Sequence, residues 1–433
     1  MGTGSAVRAS RWVLPGAPGS RVTRLELLYD LIFVLAFLNV TVLVGNTLRP
    51  RTLLAGLVVL ALLWWCWTGF AALGNIVRAD QGALPLIGFA IMAAAFVLAL
   101  TIPQAFADEP GELRGPVIFA VAYLTVRALT IGAFWFVTAP GTLSRQRLWL
   151  HTFAALVVAV LVLTAALTPL WLATTTAAAV WIRIILWSAA MIMEAIAARS
   201  PPYIGWAGLS AGHWAERHAL IVLVAIGESV ISLALGAGTL AHLTLTAPII
   251  IAAVLGIALV ATLWWLHYDT LALAVEHAVH AVRDDRRIPL TRDLYTYLHL
   301  LLVIGIIATA LGLKLLLKTV ADGATHPLTP IEVRILYLGV VVFLLAEIGT
   351  VARTFHTFAT PTLVAAAAFT AAAGAADRVP ALAALGFLTA GCATLALLQR
   401  LRQANARQQV RNSALQEEHA VETALSQWRL EHR

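Results

Sequence analysis

The chain has 433 residues, of which 61% are hydrophobic and only 12% are charged. Soluble globular proteins carry about 25% charged residues, so this composition excludes an ordinary soluble domain and indicates a polytopic membrane protein. A net charge of +7 would suggest nucleic acid as the partner of a soluble protein. Here most basic residues lie in loops and at the termini, where they set membrane topology. We therefore expect the lipid bilayer as a partner and no nucleic acid.

The first 24 residues are rich in Gly, Ser and Pro and lack the apolar core of a signal peptide. They predict a disordered cytoplasmic tail, residues 1–24. A membrane-spanning helix needs about 20 apolar residues, and twelve such stretches follow along the chain. They cover residues 25–46, 52–77, 84–106, 116–139, 147–168, 173–198, 214–237, 245–268, 293–318, 330–352, 359–376 and 380–400. The last pair is the least regular, because Gly374, Asp377 and Pro380 interrupt an Ala-rich stretch.

This pattern predicts an all-α fold, a polytopic integral membrane protein with about twelve transmembrane helices over residues 25–400. Two segments, ALLWWCWTGFAAL (61–73) and ATLWWLHYDTLAL (261–273), match at both tryptophans of the WW pair and at four Ala or Leu positions. They fall in spans two and eight. This placement favours two six-helix halves, 25–198 and 214–400, related about the membrane normal. A chance match in an Ala- and Leu-rich chain is the alternative.

The short loops predict the topology. If the N-terminus is cytoplasmic, that side collects most loop arginines, and the opposite side receives only Arg49, Arg51, Arg114, Lys318 and Arg378. Both termini then lie in the cytoplasm, which requires an even number of spans.

The tail, residues 401–433, becomes rich in Arg, Gln and Glu, with a thin apolar stripe at helical spacing. We predict a solvated cytoplasmic helix there. The alternatives are a membrane-surface helix and a short self-associating coil, which would make the protein a homo-oligomer.

Three charged residues fall in the middle of apolar spans: Arg127, Arg183 and Glu228. An ionisable side chain at that depth costs on the order of 2.5–3.5 kcal/mol or more. The helical rise places all three roughly 17–22 Å from the inner edge, so we expect Glu228 to pair with one of the arginines. A static structural ion pair and a site that couples substrate or ion are both consistent with this pattern.

Further titratable residues gather near the cytoplasmic ends of the spans. Glu26 and Asp30 are four residues apart and share one face of span one. Two carboxylates this close favour one bound proton or a cation. Other spans bring His213, Glu216, Arg217, His267, Asp269, His299 and Glu347 to similar depths.

Three interpretations of this group remain open: polar anchors of helix ends, a vestibule that handles protons or cations, and a metal-dependent intramembrane enzyme. The residues with ligand chemistry are His213, Glu216, His267 and Asp269, but they form no HExxH or similar metal signature. A phosphate-binding Gly-rich loop and a GxSxG motif are also absent from the sequence. We expect no cofactor and no enzymatic activity.

Four segments together resemble the bacterial low temperature requirement protein A family, in order from about residue 20 to about residue 400. They are ELLYDLIFVLAF (26–37), HWAERHALIVLVAIGESV (213–230), WWLHYD (264–269) and YTYLHLLLVIGIIATALG (295–312). The resemblance implies a polytopic protein of the bacterial inner (plasma) membrane. It implies no settled biochemical activity.

The resemblance also implies which residues belong to the family's motifs. Glu26 and Asp30 correspond to a first acidic motif. Glu216, Arg217, Gly227 and Glu228 correspond to a second, and His299 corresponds to a third. His218 stands where an apolar or aromatic residue is common in the family, which argues against a metal or proton role for it.

The leading hypothesis is a secondary transporter or channel-like permease for a small solute or ion, with proton coupling. In it, Glu26, Asp30 and Glu228 load and release charge, while the arginines hold Glu228 or bind an anionic substrate. The expected pathway comprises Glu26, Asp30, Arg127, Arg183, Glu216, Arg217, Glu228, His267, Asp269, His299 and Glu347. The alternatives are a metal-dependent membrane enzyme or lipid-handling protein, and a membrane sensor or scaffold acting through the tail.

Overall fold

The computed structural model describes residues 22–107, 113–138, 143–171, 175–199, 211–238, 246–282, 284–323 and 325–402, with positions 404, 407, 408, 412 and 423 of the tail. The predicted N-terminal tail up to residue 21 and most of the predicted C-terminal helix lie outside the described residues. Within the described ranges the protein is α-helical and contains no β-strand, which confirms the all-α fold.

Fourteen α-helices follow one another in the described ranges. They are α1 (Arg24–Gly45), α2 (Pro50–Ile76), α3 (Leu84–Thr101), α4 (Gly115–Val137), α5 (Leu143–Trp171), α6 (Thr176–Ala197), α7 (Ala211–Gly238), α8 (Ala247–Tyr268), α9 (Leu271–Ala281), α10 (Asp284–Thr291), α11 (His299–Asp322), α12 (Pro330–Phe355), α13 (Thr360–Ala372) and α14 (Ala381–Arg402). All except α9, α10 and α13 are long and apolar enough to cross a membrane, which gives eleven such helices in the described part of the chain.

The helix starts follow from local sequence signals. Thr23 caps α1 in a capping box with Glu26, and Thr329 caps α12 in the same way with Glu332. Each box pairs backbone N–H groups that the first turn of a helix leaves without partners. Pro50 stands at the first position of α2, where its missing N–H costs nothing.

The eleventh predicted span, residues 359–376, contains only a short helix, α13. The 13 residues of α13 reach about 20 Å, less than the roughly 30 Å of a bilayer core. However, Pro327, just before α12, forms a bridge with Pro380, just before α14, and the Ala381 N–H donates to the His326 carbonyl at 3.0 Å. Helices α12 and α14 therefore begin at the same face. The chain between them must return across the bundle, and it does so through α13 and the turn that follows.

The two ends of the described chain lie at one face, which we call the N-face. There the start of α7 reaches the start of α1, because the His213 Nε2 atom lies 3.2 Å from the Glu26 Oε1 atom. Arg407 of the tail pairs at 2.7 Å with Asp269, which ends α8 at this face. We call the opposite face, where α12 and α14 begin, the far face. This arrangement agrees with an even number of crossings.

The order in which helices pack is the same in the first and second parts of the chain. Helix α1 packs on α2 and α3, and the series continues from α3 to α4, α5 and α6, which returns to α2. Helix α7 packs on α8 and α11, and the series continues from α11 to α12, α13 and α14, which returns to α8. The short helices α9 and α10 are inserted between α8 and α11. Helices α1 and α7 pack on each other at the centre.

The tightest helix pair is α11 with α12, and glycine permits it. A Cβ atom on Gly305 would lie 2.5 Å from the Phe343 nitrogen, and one on Gly339 would lie 2.7 Å from the Thr309 nitrogen. Small residues of this kind let helix backbones approach closely inside a membrane. Helix α11 also packs on α7. On this side of α11, His299 is buried and Lys314 interacts with Glu228 of α7.

Candidate functional site

A buried ion pair joins the two central helices near the N-face. The Arg217 guanidinium of α7 donates two hydrogen bonds to Asp30 of α1, from Nη1 to Oδ2 and from Nη2 to Oδ1, both at 2.8 Å. The Trp67 Nε1 atom of α2 donates to Oδ1 of the same carboxylate, also at 2.8 Å. Arg217 is 0% exposed and Asp30 is 2% exposed. Such a bidentate, charge-assisted geometry is what a buried charge pair needs to offset its desolvation.

Glu26 adds a second carboxylate one turn towards the N-face. Its Oε2 atom accepts hydrogen bonds from the backbone N–H and the hydroxyl of Thr23, both at 2.8 Å. Its Oε1 atom lies 3.2 Å from the His213 Nε2 atom and 3.9 Å from the Arg217 Nε atom. Gly74 of α2 faces this carboxylate so closely that a side chain there would collide with it. We call Glu26, Asp30, Trp67, His213 and Arg217 the N-face cluster.

A group of histidines adjoins the N-face cluster. The His218 ring meets the Trp67 ring edge-on at 4.8 Å between centroids and the His299 ring at 5.3 Å. His299 in turn lies 5.8 Å from His267, whose Nδ1 atom is 2.8 Å from the Glu347 Oε1 atom. We call His218, His267, His299 and Glu347 the histidine cluster. Together the two clusters form one polar layer from α1 to α12.

Backbone carbonyls orient two of these rings. The Nδ1 atom of His218 lies 2.8 Å from the Trp214 carbonyl, and that of His299 lies 3.0 Å from the Leu294 carbonyl. A carbonyl only accepts, so both Nδ1 atoms carry the hydrogen. The Nε2 atom of His218 is buried, and no hydrogen-bond partner for it lies in the part of the chain that the structure describes. His299 follows a π-helical segment, Arg292–Leu298, a distortion that is frequent at functional sites.

Another buried carboxylate, that of Glu228, lies deeper in the bundle than the N-face cluster. Glu228 of α7 is 0% exposed, and its Oε1 atom accepts hydrogen bonds from Ser232 at 2.6 Å and from Thr41 of α1 at 3.2 Å. Its Oε2 atom is buried and has no hydrogen-bond partner among the described residues. Lys314 of α11, half-buried, interacts with it electrostatically. Glu228 thus has one oxygen held by hydroxyls and one that is available to a proton or a cation.

The expected pairing of Glu228 with Arg127 or Arg183 is corrected by the structure. The Arg127 Nη2 atom lies 2.6 Å from the Glu194 Oε1 atom, and the Arg183 Nη1 atom donates to the Phe106 carbonyl at 2.9 Å. The physical reason is helix packing. Helix α4 packs on α2, α3 and α5, and α6 packs on α2 and α5, whereas α7 packs on α1, α2, α8, α9 and α11, so that α2 lies between α7 and the two arginine-bearing helices. Equal depth therefore did not bring these side chains together.

The four residues considered as metal ligands have separate partners. His213 faces Glu26, and the Glu216 Oε2 atom accepts from the Val22 N–H at 3.1 Å. His267 faces Glu347, while Asp269 pairs with Arg407. No set of three or more His, Cys, Asp or Glu side chains in the described part of the chain is arranged to hold a metal ion. Within the described residues these four candidate ligands therefore do not converge on one position.

The sequence interpretation left four participants out of the pathway. Glu194 receives Arg127 and also accepts from the Trp65 Nε1 atom at 2.8 Å. Trp67, Thr41 and Lys314 contact or approach the buried carboxylates. The lone lysine in ALGLKLLL is a signal that could have identified Lys314, since an isolated charge in an apolar span favours an internal partner. Hydroxyls and tryptophans carry no such signal.

Comparison with known proteins identifies the family of this chain. The profile of the family described as bacterial low temperature requirement A protein (LtrA) matches residues 21–397. The chain belongs to the LtrA family. One relative, an uncharacterized protein (RA0937) of Rhizobium meliloti strain 1021, is 24% identical over 306 residues, which cover 66% of this chain and 67% of the relative. No solved structure matches the chain. The family match includes the N-face cluster, the histidine cluster and Glu228, and it ends before the tail.

Proposed function

We propose that this LtrA family member is a secondary transporter or channel-like permease for a small solute or ion, coupled to protons through its buried carboxylates. The observation that carries the proposal is the set of charged side chains enclosed between α1 and α7. Buried ionisable residues in membrane helices are expensive, and transporters retain them along substrate and proton pathways.

The charge balance of the N-face cluster favours proton exchange there. Arg217 supplies one positive charge, and its hydrogen bonds go to Asp30. The second carboxylate of the cluster, Glu26, faces the His213 imidazole, with 3.2 Å between Oε1 and Nε2. A group of this kind can take up and release a proton at the N-face while the Asp30–Arg217 pair stays intact.

The separation between the two buried sites favours a transporter with alternating access over an open pore. Arg217 and Glu228 are eleven residues apart on α7, which is about 16 Å of helix. Asp30 and Thr41 are separated by the same length of α1. Between these levels the two helices contribute buried apolar side chains, among them Phe33, Phe37 and Ile221. An apolar layer between two carboxylate sites is the feature expected of an occluded transporter.

The repeated packing order of the helices supports the same proposal. We infer that residues 25–198 and 214–400 are two halves that arose by duplication, with α1 equivalent to α7 and α2 equivalent to α8. Transporter folds commonly place their binding sites at the interface between two such repeats. In this chain the Asp30–Arg217 pair joins α1 to α7 at that interface.

Proton flux in proteoliposomes tests the proposal. The purified protein is reconstituted with a pH-sensitive dye inside, and a potassium gradient with valinomycin supplies the driving potential. We expect the protein to move protons and the Glu228→Gln variant to fall to the rate of protein-free liposomes, because the amide cannot carry the proton.

The matched control is Asp322→Asn, since Asp322 is an exposed carboxylate at the end of α11. It should transport like the unmodified protein. Equal flux in the Glu228→Gln and Asp322→Asn variants would refute the role of Glu228. No flux above protein-free liposomes with the unmodified protein would refute proton coupling itself.

A further inference from the structure

An apolar groove opens on the lipid-facing side of the bundle between α1, α2, α11 and α12. It has a volume of about 420 Å³. Its walls are almost entirely aliphatic, with Leu57, Ile307 and Leu338 as examples. Thr41 and Arg334 are the polar side chains among its lining residues.

The groove has the length of one membrane leaflet. Its wall runs from Pro50 to Leu60 on α2 and from Ile331 to Val342 on α12. These ranges of eleven and twelve residues, which are ten and eleven steps of helical rise, correspond to about 15–17 Å of helix, and half of a bilayer core is roughly 15 Å. Because α2 and α12 both begin at the far face, the groove extends from the headgroup level of that face to the middle of the membrane.

The mouth of the groove carries positive charge. Arg334 is exposed and lies four residues from the start of α12. Arg49 and Arg51 flank Pro50, which lines the mouth from α2. The nearest acid on α12, Glu332, is engaged with its own helix end, where the Thr329 N–H donates to it at 2.8 Å. The mouth therefore complements an anionic group, and a guanidinium matches a phosphate through two parallel hydrogen bonds.

We propose that this groove binds one acyl chain of an anionic phospholipid from the far-face leaflet and that Arg334 holds the lipid phosphate. The aliphatic walls select a hydrocarbon chain, the one-leaflet length matches a lipid anchored at the surface, and the basic mouth selects a negative headgroup. The proposal does not depend on transport.

The groove also touches the deeper carboxylate site. Thr41 is among the residues that line the groove, and its hydroxyl lies 3.2 Å from the Glu228 Oε1 atom and 2.8 Å from the Leu38 carbonyl oxygen. An acyl chain in the groove would therefore lie against the same threonine that orients Glu228.

Native mass spectrometry of the full chain in detergent tests the lipid site. The protein is mixed with phosphatidylglycerol or with phosphatidylcholine of the same acyl chains, and bound lipid is counted. We expect tighter binding of phosphatidylglycerol. Arg334→Gln should reduce that preference about tenfold, the equivalent of one charge-assisted contact. Arg378→Gln is the matched control, since Arg378 is an exposed arginine near the same face, and it should keep the preference.

A second variant separates the chain site from the headgroup site. Ala308 lines the groove on α11 and is only partly buried, so Ala308→Phe fills the groove without altering its charge. We expect it to lower the binding of both lipids. Circular dichroism and gel filtration confirm that each variant is folded, and Arg334→Ala, which also removes the charge, replaces Arg334→Gln if that variant does not fold. Equal binding of the two lipids by the unmodified protein, or an unchanged preference in the Arg334 variant, would overturn the proposal.

Discussion

Asp30 and Arg217 form the best-defined polar contact in the protein, with two hydrogen bonds of 2.8 Å between side chains that are almost wholly buried. The sequence predicted that Asp30 belongs to a charged site, because it shares a helix face with Glu26. It did not predict Arg217 as its partner. Depth along a helix follows from sequence spacing, whereas the direction a side chain faces depends on which helices pack together.

The same limitation explains the wrong pairing of Glu228. Three charges at one depth suggested an ion pair, but Arg127 lies on a helix that packs against α2 and meets Glu194 instead. The hydroxyls of Ser232 and Thr41 contact one oxygen of Glu228, and the cation that interacts with this carboxylate is Lys314 of α11, not an arginine. Small polar residues are common in membrane spans, so their contacts have no distinctive sequence pattern.

At the scale of residues, the Asp30–Arg217 pair predicts an asymmetric stability effect. Arg217→Gln should lower the free energy of unfolding by about 3–5 kcal/mol, because it leaves Asp30 charged and buried without its partner. The double variant Asp30→Asn/Arg217→Gln should regain most of that loss, since no uncompensated charge remains. Unfolding in mixed detergent micelles measures both. A double variant as unstable as the single one would show that the pair does not act as a unit.

At the scale of elements, the sequence predicted where most helices begin. The spans predicted to begin at residues 25, 84 and 330 begin at Arg24, Leu84 and Pro330 in the structure. The predicted span 359–376 was longer than the helix observed, Thr360–Ala372. Its length did not follow from hydropathy, because the chain that completes the crossing is a turn rather than a helix.

The α11–α12 contact gives a prediction for single glycines. Gly339→Ala should destabilise the protein by about 1–3 kcal/mol, the usual effect of overpacking, because its Cβ atom would lie 2.7 Å from a backbone nitrogen of α11. Gly386→Ala in α14 is the matched control, as a Cβ atom there meets nothing within 4 Å. It should be neutral or stabilising, since alanine favours helices. Melting temperatures in detergent compare the two, and equal values would argue against close packing at Gly339.

At the scale of the whole molecule, composition alone established a polytopic helical membrane protein, and the positions of the spans followed from hydropathy. The short match between the WW segments suggested two halves. The same order of packing partners in α1–α6 and in α7, α8 and α11–α14 supports that interpretation. The order in which helices pack can stay the same in two halves whose sequence identity is low, because helix contacts tolerate many apolar substitutions.

The tail provides a test of the alternative in which the protein is a sensor or scaffold. Arg407 of the tail pairs with Asp269 at 2.7 Å, so the tail touches the bundle at the N-face. Truncation after Arg402 should leave proton flux in proteoliposomes unchanged, because both carboxylate sites lie before that point. Loss of flux in a truncated protein that still folds would favour a role that acts through the tail.

The central claim is that the buried charges serve proton-coupled transport and are more than a structural ion pair. Proton flux through the Glu26→Gln/Glu228→Gln double variant tests it most directly, because this variant removes the two carboxylates to which the account assigns proton uptake and release while keeping their side-chain shapes and the Asp30–Arg217 pair. The account predicts a folded protein whose flux falls to that of protein-free liposomes. A folded double variant that moves protons at the rate of the unmodified protein would contradict it.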